Sequence, residues 1–589
     1  MYKVKAGLAA LAGLAGLAYA APLGAQATGE PSAVIDPSCD RACLIGIVRQ
    51  HMAALSSRDP SALPVARDLV FTENNVKLPL GKGLWGTITG VDAKGMEAAD
   101  PISGYAAWFG VVQEIGQPAF YSLLMHVDRR GLIDEIQTVV HRKGSLPAPF
   151  GPTENMQHFP EFDQVLPPEE RRSRERLLRV ADSYFNTVEL NDGVVFAPFS
   201  EDCSRLENGI MTTAPRPGEQ QSAAQIASGC KAQFELGIYR INKRIRRHLP
   251  LIDTERGVVV GTGFFDHANE FDRYLLTNGS EMKTALKWPN SISLIEAFRI
   301  KDGAIQRIEA TFTYVPYFMH NPVWSETPPP PKYAPDPAAC NASCLAGNAR
   351  AVMRGMVGNK WQGLKWADAV GYAENSVGIR VGEGIWATVT AIDEDPLVIA
   401  DAQTGQAVWL GRIEEHGQPA WAAVAVSASG DRIGAIDALI RRKEYGAPYT
   451  EPVSAPDFAD LPARQRTSRA DMTSAATRFY EALNTHGGAP AIFAEGCRFF
   501  VNGTDVADCV SPFSGPGLSS IEQVRDRRLL AVDEGRGLMV YQTFEDIPAT
   551  GGRGVPHTSQ VAELFRMEGG KVTQVHAYNS ELPYGMKPH

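Results

Sequence analysis

Phe71–Trp85 reads FTENNVKLPLGKGLW, and the pattern returns at Tyr372–Trp386 as YAENSVGIRVGEGIW. Alone, such a stretch is strand, turn and strand, punctuated by Asn, Pro and Gly. Two copies at a fixed spacing make the chain a tandem repeat. Working outward, Cys39 corresponds to Cys340, Glu73 to Glu374, Asn74 to Asn375, Trp85 to Trp386 and Gly116 to Gly417. Each pair is 301 residues apart, so the register holds without a gap. A second unit returns less regularly: LPPEERRSRERLLRVADSYF answers LPARQRTSRADMTSAATRFY, DCSRLENG answers GCRFFVNG, and LIEAFRIKDGAI answers VAELFRMEGGKV. The order is A, B, A′, B′.

The boundaries follow from these matches: module A over 36–150, module B over 163–325, module A′ over 338–450 and module B′ over 459–589. A proline-rich linker, TPPPPKYAPDP over 327–337, separates the halves. Asp36-Pro37-Ser38 opens a helix with apolar residues at helical spacing through Leu44, Ile45, Val48, Met52 and Leu55. Tyr105–Arg142 then alternates as three antiparallel strands, with turns at Gln117-Pro118 and Arg130-Gly131. The Asp302-Gly303 step marks another hairpin. The fold class is α+β: four modules, each a helix with a curved antiparallel sheet around a cone-shaped cavity suited to a small molecule.

With 589 residues the chain exceeds one core, and 44% hydrophobic with 21% charged residues is ordinary for globular proteins. A net charge of -10 and pI of about 5.7 exclude broad nucleic-acid binding, although Lys243, Arg244, Arg246 and Arg247 form a local basic patch. Residues 1–27 read as a signal peptide: Lys3 and Lys5, an apolar run over Ala6–Ala18, then Ala25-Gln26-Ala27, with Ala20 as a second cleavage point. That run is shorter than the ~20 residues that span a bilayer, and no later segment is apolar enough to be transmembrane. The reading is export, to the periplasm or the medium. Eight cysteines fall into local pairs, Cys39 with Cys43, Cys203 with Cys230, Cys340 with Cys344 and Cys497 with Cys509. In an exported chain these are disulfides, and no companion cluster completes a zinc site.

Cys39-x-x-x-Cys43-Leu44, Thr72-Glu73-Asn74-Asn75, Gly81-Lys82-Gly83-Leu84-Trp85, Cys203-Ser204-Arg205-Leu206-Glu207-Asn208-Gly209 and Pro583-Tyr584-Gly585 resemble a secreted family of unknown function found in fungi and bacteria. Its members look like pairs of modules similar to nuclear transport factor 2 and the SnoaL proteins. The resemblance implies a tandem of two such units. It carries no chemistry, since that fold hosts enzymes and binding domains alike. Val501 stands where module B has Glu207, and Ser376 where module A has Asn75.

Several residues have the types that acid/base chemistry needs, and each has a structural alternative. Glu73 with Asn74, and Glu374 with Asn375, pair a carboxylate with an amide; they equally suit bracing the glycine turn. Glu114 and Glu415 read as rim charges. Asp266 and Asp546 lie at matching strand positions; His267 beside Asp266 points to the other face. Arg205 and Arg498 follow cysteines and could clamp an anion or hydroxyl, or hold the disulfide loop. Asn208, Asn502, Arg247, Arg527 and His576 complete the candidate ligand contacts, with Tyr314 and Tyr317 as a ring platform. No phosphate loop, nucleophile elbow or metal ligand set is present, so no cofactor is implied. The leading function is acid/base lyase, isomerase or hydrolase chemistry on a small organic or carbohydrate-derived molecule; the alternative is a noncatalytic binding protein. Nothing in the sequence specifies an oligomeric state.

Overall fold

The computed structural model describes residues 39–589 apart from 93, 145–147, 155, 215–228, 285, 326–332, 334–335, 337–338, 444–457, 515–517 and 549–554. The signal peptide assigned to 1–27 and most of the linker lie outside the described residues. Four large sheets follow one another along the chain. In module A the strands lie in the order Val76–Lys77, Val65–Glu73, Ile133–Arg142, Gln117–Val127, Tyr105–Glu114 and Ile88–Val91. In module B the order is Asn242–Asp253, Val258–His267, Asn290–Lys301, Ala304–Val315, Phe199–Glu207 and Ile210–Met211. The second half repeats both.

These sheets are mixed, which corrects the wholly antiparallel expectation. The first long strand of each module lies parallel to its last, with Phe71 opposite Ile136, Arg205 opposite Ile308, Tyr372 opposite Ile436 and Phe499 opposite Val575. A parallel pair needs a long crossover. Here the intervening meander supplies it, and local alternation reveals the hairpins but not this closing pair.

Four helices cover the sheets: α1 (Arg41–Ser57), α2 (Arg174–Leu190), α3 (Ala342–Met356) and α4 (Arg469–Thr485). The N-cap of α1 is Asp40, whose carboxylate accepts from the Cys43 N–H at 2.9 Å; Asp36-Pro37-Ser38 lies outside the described residues. Asn341, Ser173 and Ser468 cap the others in the same way. All four disulfides close as the spacing predicts. The hairpin after Glu114 turns on Ile115 and Gly116, both left-handed, so Gln117-Pro118 begins the next strand instead of forming the turn.

The sheets are buried on both faces. One face of each meets its own helix; the other meets the neighbouring sheet, as where Phe109, Leu124 and Val139 pack against Leu251, Val260 and Ile295. Leu410, Trp421 and Leu439 meet Leu538, Leu564 and Tyr578 likewise in the second half. Modules A and A′ share one apolar core with the segments that follow the last strands of B and B′, including Tyr317, Met319 and Met586, and with Leu582 near the end of the last strand. Modules B and B′ keep separate cores under α2 and α4.

Candidate functional site

The interior of module B is the place where buried polar groups converge. Leu177, Val180, Phe185 and Phe298 line it with hydrocarbon, and Arg205 stands among them with 1% of its surface exposed. A buried guanidinium must be paired. Nε of Arg205 lies 3.1 Å from Glu207 Oε2 and donates to Thr212 Oγ1 at 3.1 Å; Nη2 donates to Gln233 Oε1 at 2.7 Å and to the Tyr239 hydroxyl; Nη1 donates to the Tyr184 hydroxyl at 3.4 Å. Thr212 Oγ1 in turn donates to Glu207 Oε2 at 2.5 Å.

Glu296 projects from the middle strand into the same cluster and is 1% exposed. Burial, then the charge of Glu207, push its carboxyl up to about 8, against the pull of Arg205 and the Tyr184 hydroxyl. Glu296 is therefore protonated at neutral pH, and its Oε2 has no hydrogen-bond partner among the described residues. Burial also raises the Tyr239 hydroxyl to about 12, keeping it a donor. The cluster runs from a dry floor, Glu296 and Tyr184, to a wet rim at Glu207, whose side chain is 18% exposed. It thus holds a neutral acid and an ion-paired carboxylate in one cone.

Module B′ keeps the acid and loses the cation. Glu563 takes the place of Glu296 and is pushed up by burial; Glu545 beside it is raised by burial and by Glu563. The place of Arg205 is taken by buried Phe499, which lies opposite Val575 as Arg205 lies opposite Ile308, while Arg498 reaches Asp505 at 2.5 Å with 48% of its side chain exposed. Arg498 stands where module B has Ser204, one residue along the strand from the inward position, so its side chain leaves by the other face.

Most other candidates lie outside the cone. Asn74, Asn208, Asn375 and Asn502 occupy the first position of equivalent two-residue hairpins, at φ of 47°, 44°, 44° and 48°. Each amide continues the parallel ladder past its turn. Asn208 Nδ2 donates to Phe312 O at 2.9 Å and Oδ1 accepts from Phe312 N at 3.0 Å; Asn74 does the same with Val140 and Asn375 with Ile440, whereas Asn502 accepts from Asn579 N and donates to the Asn579 side-chain Oδ1.

Glu73 accepts from the Leu84 N–H at 2.7 Å and lies 3.0 Å from Arg142, which also binds Glu114 at 2.5 Å. Glu374 accepts from the Ile385 N–H at 2.8 Å, and Arg442 joins it to Glu415 at 2.6 Å each. Glu114 and Glu415 are thus buried partners and not rim charges. Burial raises Glu73 while Arg142 and the Leu84 amide pull it down.

Asp266 is held by Arg246 at 2.8 Å and by Ser291 at 2.6 Å; Asp546 is held by Arg525 at 2.7 Å and by Thr558 at 2.6 Å. Both clamp the segment after the last strand, through Ser291 Oγ accepting from Phe318 N and Arg525 donating to Met586 O. Arg247 ties its strand to α2 through Asp182 and Asn186. Arg527 is exposed, 5.8 Å over the Tyr480 ring. His576 is stacked on Phe500 at 4.3 Å, and burial lowers it to about 4. Tyr314 and Tyr317 line a separate cleft between the halves.

Among the sequence candidates, then, Arg205 alone sits in the cone. Its partners Glu296, Tyr184, Tyr239 and Gln233 were not among them. A signal existed for Glu296: a lone carboxylate inside the apolar run Leu294–Phe298, recurring as Glu563 inside Val561–Phe565.

No curated protein matches the chain. Two crystal structures are similar to it, each with a TM-score of 0.17. One is AclR, "a putative hydroxylase from Streptomyces galilaeus", 15% identical over 19% of this chain and 91% of that one. The other is "a putative polyketide cyclase" from Xanthomonas campestris pv. campestris, 21% identical over 19% of this chain and 93% of that one. Residues 170–312 and 465–579, within modules B and B′, match the model of a family described as Domain of unknown function (DUF8021).

Proposed function

We propose that module B is an acid/base site that moves protons on a small β-hydroxy carbonyl compound, as a lyase or isomerase does. The observation that carries this is the pairing of protonated Glu296, its Oε2 unpartnered among the described residues, with the ion-paired carboxylate Glu207 across Arg205. In the elimination direction Glu207 takes the proton from the carbon beside the carbonyl. The electron pair forms the new C=C bond, and the hydroxyl leaves as water with the proton of Glu296. Arg205 stabilises the negative charge that develops on the carbonyl oxygen. Solvent at the rim then returns Glu207 and Glu296 to their starting states.

Module B′, lacking the inward arginine, does not share this chemistry. The chain is read as an exported protein, which the N-terminal pattern and the four disulfides support. Among the described residues no helix is long and apolar enough to cross a membrane.

The test is turnover by the mature chain on a panel of small β-hydroxy ketones and β-hydroxy lactones, followed as conjugated-carbonyl absorbance. Glu296→Gln and Glu207→Gln are each expected to lower kcat by about 10²–10⁴. Full activity in either variant, or no turnover across the panel, overturns the reading.

A further inference from the structure

A cleft of about 220 Å³ opens where all four modules meet, and it is separate from the cone of module B. Its frame is nearly symmetric. Arg142 and Arg442 line it from modules A and A′, 300 residues apart, with Asn74 and Asn375 beside them. Pro316 and Pro583 line it from B and B′, 267 residues apart. The cleft therefore lies on the approximate two-fold relation between the halves.

Its walls break that symmetry. At one pair of equivalent positions module B offers Tyr314 and module B′ offers Glu581; at another, Trp288 faces Val555; at a third, Asn290 faces His557. The wall from module B carries the two large rings, Trp288 and Tyr314, and the wall from B′ carries the ionisable groups His557 and Glu581. Such a division serves a ligand with an apolar face and a hydroxylated edge, because ring C–H groups stack on aromatics while hydroxyls need donors and acceptors.

The charges of the cleft narrow the ligand further. Each arginine has Nε and Nη2 committed to two carboxylates, Glu114 and Glu73 for Arg142, Glu415 and Glu374 for Arg442. Nη1 of each makes no hydrogen bond among the described residues. It can donate to a hydroxyl, while the paired carboxylates leave no surplus positive charge to attract an anion. His557 Nδ1 donates to Val555 O at 3.0 Å, which fixes Nε2 as an acceptor in the neutral ring. The volume is below the ~300–1,000 Å³ that drug-sized ligands occupy, so it suits one six-membered ring.

We propose that this cleft binds a single neutral, hydroxyl-rich ring, a pyranose unit, stacked on Trp288 and Tyr314 and hydrogen-bonded by Arg142, Arg442 and His557. The proposal stands apart from the acid/base reading of module B, since no residue is shared.

The full mature chain is titrated with methyl glucopyranoside, methyl galactopyranoside and methyl mannopyranoside, and with gluconate as the anionic comparison, by saturation-transfer NMR and calorimetry. At least one glycoside is expected to bind, with its ring protons saturated and gluconate at least tenfold weaker. Trp288→Ala is expected to weaken that glycoside at least tenfold. Tyr314→Glu, which installs the residue of the other half at an equivalent position, is a second variant chosen to keep the fold and is expected to do the same. Absence of binding by all three glycosides, preference for gluconate, or unchanged affinity in a folded Trp288→Ala or Tyr314→Glu protein each overturns the proposal.

Discussion

Lys82 binds Glu522 at 2.6 Å, and Glu383, which stands 301 residues after Lys82, binds Arg244 with the charges reversed. The glycine-rich loop of each A-type module thus docks on the B-type module of the opposite half. Tyr584 donates to Glu522 at 2.6 Å and Tyr317 donates to Glu383 at 2.9 Å, so each ion pair is sealed by an equivalent tyrosine. The two contacts differ in burial. Lys82 and Glu522 are 51% and 38% exposed at their side chains, whereas Arg244 and Glu383 are 20% and 16%. Lys82→Ala is expected to cost under about 1 kcal/mol. Glu383→Ala is expected to cost about 2 kcal/mol, because it removes the close carboxylate from a half-buried guanidinium, leaving it Asp266 at 3.6 Å, and takes the acceptor from the Tyr317 hydroxyl. Denaturant unfolding of both variants checks the order, and an equal or larger loss in Lys82→Ala refutes it.

Arg142 carries two buried carboxylates, so its removal and theirs are not equivalent. Arg142→Met leaves Glu73 and Glu114 buried without a counter-charge and is expected to destabilise by about 3–5 kcal/mol. Glu73→Gln keeps an oxygen for the Leu84 N–H and leaves Arg142 paired with Glu114, with an expected loss of about 1 kcal/mol. Thermal melts of the two variants decide. A Glu73→Gln loss as large as that of Arg142→Met contradicts this account of the cluster.

The tandem was legible because its most repeated feature answers a backbone demand. Asn74, Asn208, Asn375 and Asn502 all sit at positive φ, where few residues are tolerated, so the turn stayed visible after its surroundings diverged. The local pairing of the cysteines was legible for a similar reason, since each bridge spans a short loop. The candidate site was harder to read. Arg205 stands out two residues after its cysteine, but Glu296, Tyr184 and Tyr239 come from a distant strand, helix and loop that only the folded sheet brings together. Both faces of each sheet are buried, so an inward Glu296 and an apolar Ile295 give no face-to-face contrast from which to pick out the carboxylate. Arg142 was hidden in HRK at a strand end, a setting that usually means solvent.

Asn208 separates two roles of the turn residue. Asn208→Gly keeps the left-handed backbone and loses both bonds to Phe312, and is expected to cost about 1–2 kcal/mol. Asn208→Ala loses the bonds and also strains the backbone at φ 44°, adding about 1 kcal/mol. The measurement is chemical unfolding of the two variants beside the parent. If Ala is as well tolerated as Gly, the backbone argument fails.

Glu296 makes stability depend on pH in a predictable direction. In the unfolded chain its carboxyl ionises near 4.5, whereas in the folded protein it holds its proton up to about 8. Between those values the native state binds more proton than the unfolded state, so this contribution falls as pH rises. It is complete below pH 4.5 and lost as pH climbs through 8. His141, His267 and His576, lowered by burial to about 4 from 6.5, act on the acid side with the opposite sign, losing stability as pH falls below 6.5. The Glu296 contribution is isolated by comparison with Glu296→Gln, which keeps the shape and cannot ionise. The parent is expected to lose stability relative to the variant between pH 4.5 and 8, with a slope approaching about 1.4 kcal/mol per pH unit. Parallel stability curves for the two proteins across that range would mean that Glu296 is ionised in the fold, and the acid assigned to module B would be gone with it.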